Sequence, residues 1–382
     1  MPATADKLGR SMRIVLDARK LHDFGIGTYI RNLVAGLGAL DTTTDYVLLT
    51  KAADAAAAAA AGSNFRAVVE SAKPYSMTEQ WRIPLAVARA RADLLHEPHY
   101  VLPPLTRCRT VVTIHDCIHL RFPEYLPSRA AFAYAHAMIR LAARKADRVL
   151  TVSEASKRDI LHYTGVTADK VTVIHNGLDA RFAAVPDGAA IDRVQQRFQL
   201  DHPFVLYVGN IKPHKNLERL IAAFAAARPD GPEGLKLVVI GDETSNYPSV
   251  RQAVHRHRLD KHVRFFGFQP ASTLVIFYRL ARAFVFPSLY EGFGLPPLEA
   301  MANETPVVTS NVSSLPEVAG DAALLVDPYD VGSIADGIRR AVTDEPLRQT
   351  LIARGRERAR QFSWTKAAAD TLAVYRHVLG AA

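Results

Sequence analysis

Short apolar runs that stop at glycine-, proline- or aspartate-bearing turns and then give way to helical patterns recur along this chain, and that alternation most limits what it can fold into. Runs near 12–18, 46–50, 65–69, 93–96, 109–114, 148–152 and 171–174 precede a small, turn-forming segment, Pro186-Asp187-Gly188-Ala189; runs near 204–208, 237–240, 263–266, 281–286, 306–309 and 323–327 follow it. Strands separated by helices join parallel sheets through crossovers, with helices covering the faces. The 382 residues suit two domains, each able to bury its own core. The pattern therefore predicts two α/β units with parallel sheets, residues 1–185 and 186–361, and a closing segment 362–382 whose helix follows Phe362-Ser363-Trp364-Thr365. The alanine tract 55–61 favours helix and offers no chemistry.

One stretch carries most of the chemistry: Phe286-Pro287-Ser288-Leu289-Tyr290-Glu291-Gly292-Phe293-Gly294-Leu295-Pro296-Pro297-Leu298-Glu299-Ala300. An apolar strand ends, Gly292 and Gly294 permit an unusual backbone, and the prolines suit a first helical turn. The amides of Gly292, Phe293, Gly294 and Leu295 and the positive helix end would then face one point, which suits a phosphate or diphosphate. Were the chain helical throughout, Glu291 and Glu299 would stand ~12 Å apart along the axis, against the ~5–5.5 Å of a retaining glycosidase pair. They read as hydroxyl acceptors flanking an anion site. The other reading makes Glu299 a helix-start acid and Glu291 a solvated loop residue.

Three further places offer polar side chains at strand ends. After the first strand, His22-Asp23-Phe24-Gly25-Ile26-Gly27-Thr28-Tyr29 forms a glycine turn before a helix through Leu33, Leu37 and Leu40; as a dinucleotide fingerprint it lacks its third glycine, which would fall at Ile30. His115 lies just past the β-branched run 109–114, where an α/β sheet presents residues to its ligand crevice. Past the run 204–208 come Gly209-Asn210-Ile211-Lys212-Pro213-His214-Lys215-Asn216, with Lys215 beside a helix start, suited to an anion or else simply solvated. His96, His99, Cys108, Cys117 and His119 fall close in sequence but fit no zinc spacing, and Pro98 keeps His96 and His99 off one helix, so no metal site is expected.

Lys and Arg exceed Asp and Glu by nine, and Arg129, Arg140, Arg144, Lys145 and Arg148 concentrate in and after a helix at 127–146. That excess suits an anionic partner or a basic solvated surface. A nucleic-acid role lacks any interleaving of aromatic and basic residues. Two cysteines, Cys108 and Cys117, do not make a disulfide scaffold; with no secretion signal and no apolar span, a cytoplasmic protein with a loose tail at 1–11 is expected, and the sequons at Asn303 and Asn311 carry no weight.

Glu291-Gly292-Phe293-Gly294-Leu295-Pro296-Pro297-Leu298-Glu299 resembles the paired-glutamate motif of the retaining, nucleotide-sugar-dependent glycosyltransferases of family 4. The phrases at 25–28, 115–116, 175–179, 209–216 and 314–323 are similar to that family's and occur in its order, over about residues 12–379. The resemblance implies the GT-B fold: two Rossmann-like domains with parallel sheets facing a deep cleft, the first binding the acceptor, the second the nucleotide sugar, and a C-terminal helix crossing back. It implies catalytic parts for His115, Glu291 and Lys215, with Glu291 and His115 on the transferred sugar and Glu299 on ribose. Donor contacts would come from Gly25, Gly27 and Thr28 across the cleft, from Asn210, Lys212 and Lys215, from Gly267 and Phe268 beside the base, and from residues 291–295. Many relatives carry an arginine near Asn210; here Asn210 or Lys212 would replace it, or neither. No cofactor or metal is implied. Together with Phe122-Pro123-Glu124 and Leu315-Pro316-Glu317-Val318, the chain looks most like bacterial mannosyltransferases of polysaccharide and O-antigen assembly, which implies GDP-mannose as donor, a saccharide or lipid-linked acceptor, and peripheral membrane contact through the basic helix. Another GDP- or UDP-sugar, or a catalytically idle nucleotide-sugar binding protein, stays open.

Overall fold

A computed structural model describes residues 11–241 and 247–380. Residues 1–10 of the expected tail, and Asp242 after Gly241, lie outside the described residues. The chain forms two compact units, one reaching to Gly177 and resuming at Trp364, the other Leu178–Ser363.

The first unit is built on seven parallel strands, β1 (Arg13–Asp17), β2 (Asp45–Thr50), β3 (Phe65–Val69), β4 (Leu94–Glu97), β5 (Arg109–Thr113), β6 (Arg148–Thr151) and β7 (Val171–Val173), in the order β3-β2-β1-β4-β5-β6-β7. The order reverses between β1 and β4, which pair Ile14 with Leu94 and Leu16 with His96. Alternation sends Ile14, Leu16 and Leu94 to one core and Val15 and Leu95 to the other. The same alternation separates His96 from Glu97 and brings Asp17 and Glu97 to one face. The first core is closed by the helices Phe24–Leu40 and Trp364–Leu379; the latter buries Trp364, Ala367, Ala368, Thr371, Leu372 and Tyr375, one stripe of an amphipathic helix.

The second unit is built on β8 (Phe204–Val208), β9 (Lys236–Ile240), β10 (Val263–Phe266), β11 (Ala283–Phe286), β12 (Val307–Ser310) and β13 (Ala323–Val326), all parallel, in the order β10-β9-β8-β11-β12-β13. Here the reversal falls between β8 and β11. In open α/β sheets ligands bind past the carboxyl ends of the strands at such a reversal, so the topology names the loop after β8 and the loop after β11 before any side chain is considered.

Three local expectations change. Residues 25–28 are not a turn: the helix begins at Phe24, and Gly25 and Gly27 take helical conformations inside its first turns. Gly27 is required because a Cβ there would lie 2.4 Å from the Leu21 carbonyl oxygen. The break between units falls at Gly177/Leu178 rather than at 185/186, because Leu178 donates to the Phe362 carbonyl and Phe182 packs on Tyr278, both inside the second unit. Pro186-Asp187-Gly188 is a helix start rather than a linker: Asp187 accepts from the Ala190 amide and caps Gly188–Phe198.

Candidate active site

Past β8 the chain makes a single tight turn, Pro213–Lys215, and Asn216, with φ of 62°, turns it into the helix Leu217–Ala227. Buried Asn216 donates its amide to the carbonyls of Pro287 (2.9 Å) and Pro328 (2.7 Å), and Leu289 donates to the His214 carbonyl (2.7 Å). These bonds join the β8 loop to the β11 loop. Lys215 Nζ thereby reaches Glu291 Oε1 at 2.6 Å, with both side chains largely buried and the ammonium 5.2 Å from the centre of the Phe286 ring. Glu291 is therefore no solvated loop residue.

The glycine turn is held from the far side. Glu291 donates its amide to Ser313 Oγ (3.0 Å), Ser313 Oγ donates back to the Glu291 carbonyl (2.6 Å), and Ser314 Oγ donates to the carbonyls of Glu291 (3.0 Å) and Phe293 (2.7 Å). Phe293 is buried with its ring on Phe362, so it anchors the loop and can serve a ligand only through its backbone. Gly294 caps the helix Leu295–Ala302 at φ 114°, a conformation L-residues rarely adopt, and a Cβ there would meet Leu315 at 2.8 Å. Pro296 and Pro297 lack an N–H, so the donors at this helix end are the amides before them; among the described residues those of Gly294 and Leu295 find no acceptor.

Glu299 sits in the second turn of that helix, not the first, so it is not a helix-start acid. It is half-buried, and its Oε2 accepts from the buried Tyr278 hydroxyl at 2.9 Å. Burial pushes its carboxyl up to about 7, against the lowering from the Tyr278 bond, with Asp179 adding a further rise. The Asn210 carbonyl accepts from the Tyr207 hydroxyl (3.1 Å), its side-chain oxygen is buried without a donor among the described residues, and Lys212 is exposed. Gly267 is exposed and Phe268 is 78% exposed, a flat apolar face left open beyond β10.

In the first unit His115 follows β5 as expected. Its Nε2 donates to the Pro98 carbonyl (2.9 Å), its ring lies edge-on to Tyr29 at 4.8 Å, and burial pushes its pKa down, so the ring is neutral with Nδ1 carrying the lone pair. Tyr29 is held in turn by a buried chain: Tyr375 hydroxyl to His96 Nδ1 (2.6 Å), His96 Nε2 to Thr113 Oγ1 (2.8 Å), Thr113 Oγ1 to the Tyr29 hydroxyl (3.1 Å). Gly25 has open space where a Cβ would be, and Thr28 Oγ1 donates to the Phe24 carbonyl (3.3 Å).

The histidines and cysteines close in sequence are not gathered; His96 and His99 lie on opposite faces of β4's continuation. The three groups that do converge, Asp17, Glu97 and His99, offer ligand atoms within 4.8 Å of one another. They fit a metal poorly. His99 Nδ1 accepts from the Val101 amide (3.1 Å), which puts the ring proton on Nε2, and Arg19 already occupies both Asp17 oxygens (Nε to Oδ1 2.9 Å, Nη2 to Oδ2 2.5 Å).

Two of the five residues of the expected basic patch, Lys145 and Arg148, are spent internally. Lys145 donates to the carbonyls of Pro103, Pro104 and Thr106, and Arg148 to the Asp169 carbonyl and to His377. No helix among the described residues is long and apolar enough to cross a membrane.

Two Rossmann-like parallel sheets, the second carrying a lysine–glutamate pair over a glycine turn and a proline-started helix, define an α/β enzyme of the GT-B kind. Residues 25–182 match the family described as Glycosyltransferase Family 4 and residues 189–358 that described as Glycosyl transferases group 1. The chain is 34% identical over 284 residues to the O-antigen chain mannosyltransferase B of Escherichia coli, covering 74% of each. It is 31% identical over 292 residues to the glycogen synthase of Mycobacterium tuberculosis, 76% of this chain and 68% of the relative. The crystal structure of Anabaena HepE in complex with UDP and glucose superposes with a TM-score of 0.77 at 19% identity, covering 96% of this chain and all of HepE. The chain belongs to glycosyltransferase family 4 and is a glycosyltransferase.

Proposed function

We propose that this glycosyltransferase moves mannose from GDP-mannose, with retention of configuration, onto a glycan or lipid-linked saccharide, the second unit holding the donor and the first the acceptor. The observation that carries the reading is the Lys215–Glu291 pair beside the acceptor-less amides of Gly294 and Leu295. An ammonium has three protons; Glu291 takes one and two are left for diphosphate oxygens. As the glycosidic bond breaks, charge builds on the diphosphate, and fixed donors in a site of limited water access stabilise it without reorganising. Glu291 keeps Oε2 for a sugar hydroxyl, Glu299 takes ribose, Phe268 stacks on the base, and neutral His115 offers Nδ1 to a hydroxyl of the transferred sugar. Lys212, the exposed cation of the β8 loop, takes the part of the family's arginine; Asn210 cannot supply charge. At the start of the helix Phe24–Leu40 the amides of Gly25 and Ile26 are left, among the described residues, to add backbone donors, while that of Gly27 is held by the Asp23 carbonyl. No metal has a role, so turnover with excess chelator equals turnover without it.

The likeness to the mannosyltransferase supports the sugar; the glycogen synthase and the UDP-bound neighbour support a second reading, a UDP-sugar donor on the same site. Peripheral membrane contact is supported less by the 129–145 helix than by exposed Trp81 and Leu85, one turn apart on the helix Glu79–Arg89, with exposed Met77 in the turn just before it. The test is to supply GDP-mannose, UDP-glucose and UDP-galactose with a mannose-terminated acceptor and to read the anomeric configuration of the product by NMR. An α-linked mannoside from GDP-mannose alone supports the proposal; a β-linked product or a UDP-sugar product overturns that part of it.

A further inference from the structure

The first sheet also reverses its order, between β1 and β4, and the groups at that reversal are assigned no part in the donor chemistry. Asp17 ends β1 and Glu97 ends β4, side by side on one face, with His99 two residues on; all three are at most 2% exposed. The Arg19 guanidinium pairs with Asp17 and reaches Glu79 at 3.2 Å, so the negative charge of Asp17 is answered. Glu97 has no such partner: among the described residues neither of its oxygens has a hydrogen-bond donor, and His99 Nε2 has no acceptor. Burial first, and the Asp17 charge second, raise the Glu97 pKa well above the carboxylate range, so it holds its proton. Burial likewise pushes His99 down to about 3, so it is neutral.

Glu97 and His99 are therefore uncharged, which disfavours a cation. The His99 Nε2–H stands 3.9 Å from Glu97 Oε2, too far for a hydrogen bond. A hydroxyl oxygen ~2.8 Å from each would accept from the imidazole and donate to the carboxyl, satisfying both orphans at once. Over the cluster lies the segment 71–78. Arg19 Nη1 fixes it at the Ala72 carbonyl (2.7 Å); beyond that point Tyr75 is held at φ 64°, its ring 5.7 Å from that of His99 and 5.8 Å from that of Tyr100, its hydroxyl bonded to Lys20 Nζ at 2.9 Å. A non-glycine residue in the left-handed region is strained and persists only where contacts hold it. Tyr75 is 42% exposed and belongs to no helix or strand, so it can move while the Arg19 anchor stays.

We propose that Glu97 and His99, roofed by Tyr75, form a subsite that reads a hydroxyl of a neutral saccharide acceptor, Tyr75 swinging out to admit the ring and closing on its face. The subsite lies at the carboxyl edge of the sheet and at its reversal, where ligands of open α/β sheets bind. It rests on the reading of the first unit as the acceptor side.

The experiment uses the full chain and methyl α-glycosides of mannose, glucose and galactose as probes, with binding followed by saturation-transfer NMR and GDP affinity measured in parallel. The wild type binds at least one glycoside; Glu97→Met lowers that affinity about tenfold or more, as loss of a buried polar contact requires, with GDP affinity unchanged. Tyr75→Ala, which gives up the Lys20 bond and the ring contacts but leaves Asp17, Glu97 and His99 in place, speeds dissociation and weakens the glycoside several-fold; it carries the test should Glu97→Met not fold. Undiminished glycoside binding in either folded variant overturns the proposal. So does a wild type that binds none of the glycosides while Glu97→Met is merely more stable, the result expected if a buried water fills the gap. Glycoside binding that depends on added divalent metal overturns it in favour of a cation. Failure of GDP to bind the wild type would strike the donor reading instead, and is read separately.

Discussion

Lys215→Met separates what the lysine does for the fold from what it does for the reaction. At 2.6 Å the ion pair with Glu291 amounts to ~6 kcal/mol at an effective dielectric of ~20, a gross attraction set against the desolvation of both ions. Removing the lysine leaves Glu291 as a carboxylate with a side chain 13% exposed, too little for full hydration. The expected loss is ~2–4 kcal/mol, below the range for a fully buried pair because some water reaches the site. Glu291→Gln in the same background removes the stranded charge, so the double variant recovers most of that loss. Turnover does not recover: losing a fixed donor to the leaving group costs ~10²–10³-fold in the single and the double variant alike. Urea titrations followed by far-ultraviolet circular dichroism suit the comparison, because both tryptophans, Trp81 and Trp364, lie in the first unit and are blind to the second. A double variant as unstable as Lys215→Met would refute the stranded-charge argument. A double variant with near-normal turnover would refute the catalytic one.

Other consequences are sharper in one observable each. Gly294→Ala must hold φ near 114° and place a methyl 2.8 Å from Leu315; strain of ~1–3 kcal/mol lowers the melting temperature by several degrees, and Leu315→Ala relieves only the contact share. Glu299, raised to about 7, accepts ribose hydroxyls best when ionised, so nucleotide affinity falls as pH drops from 8 to 6 in the wild type and is flat in Glu299→Gln, as titration calorimetry would show. His96 and His99 sit at about 3 when folded and ~6.5 when unfolded, so between those values the unfolded chain binds the extra protons and stability drains away as pH falls; each costs ~2 kcal/mol by pH 5. Urea midpoints at pH 7 and 5 measure that loss, and His96→Gln shrinks it.

The alternation of strands and helices made both sheets legible, and so did the β11 loop, whose glycines and prolines dictate its backbone locally. Lys215 was legible because a cation before a helix start is a local pattern; its partner in the fold, Glu291, is 76 residues away and found only through the β8–β11 pairing. Ser313 and Ser314 look like any strand exit until β12 pairs with β11 and sets them behind the glycine turn. Asp17 and Glu97 are 80 residues apart, and no periodicity in either strand tells that β1 and β4 are neighbours. The helix start at Phe24 was misplaced because glycines usually mark turns; here close approach of the Leu21 carbonyl, invisible in sequence, explains Gly27. The Pro186-Asp187-Gly188 segment has linker composition, but aspartate before a helix is equally a cap, and only the contacts of Leu178 and Phe182 decide to which unit it belongs.

The central claim is that the Lys215–Glu291 pair and the amides at 294–295 hold a nucleoside diphosphate. Calorimetric titration of GDP, UDP and ADP into the wild type and into Lys215→Met/Glu291→Gln tests it directly, without an acceptor. The account predicts that the wild type binds GDP more tightly than UDP or ADP, and that the double variant, still folded, loses about tenfold or more of that affinity. Binding of none of the three to the wild type, or equal binding to both proteins, would contradict it.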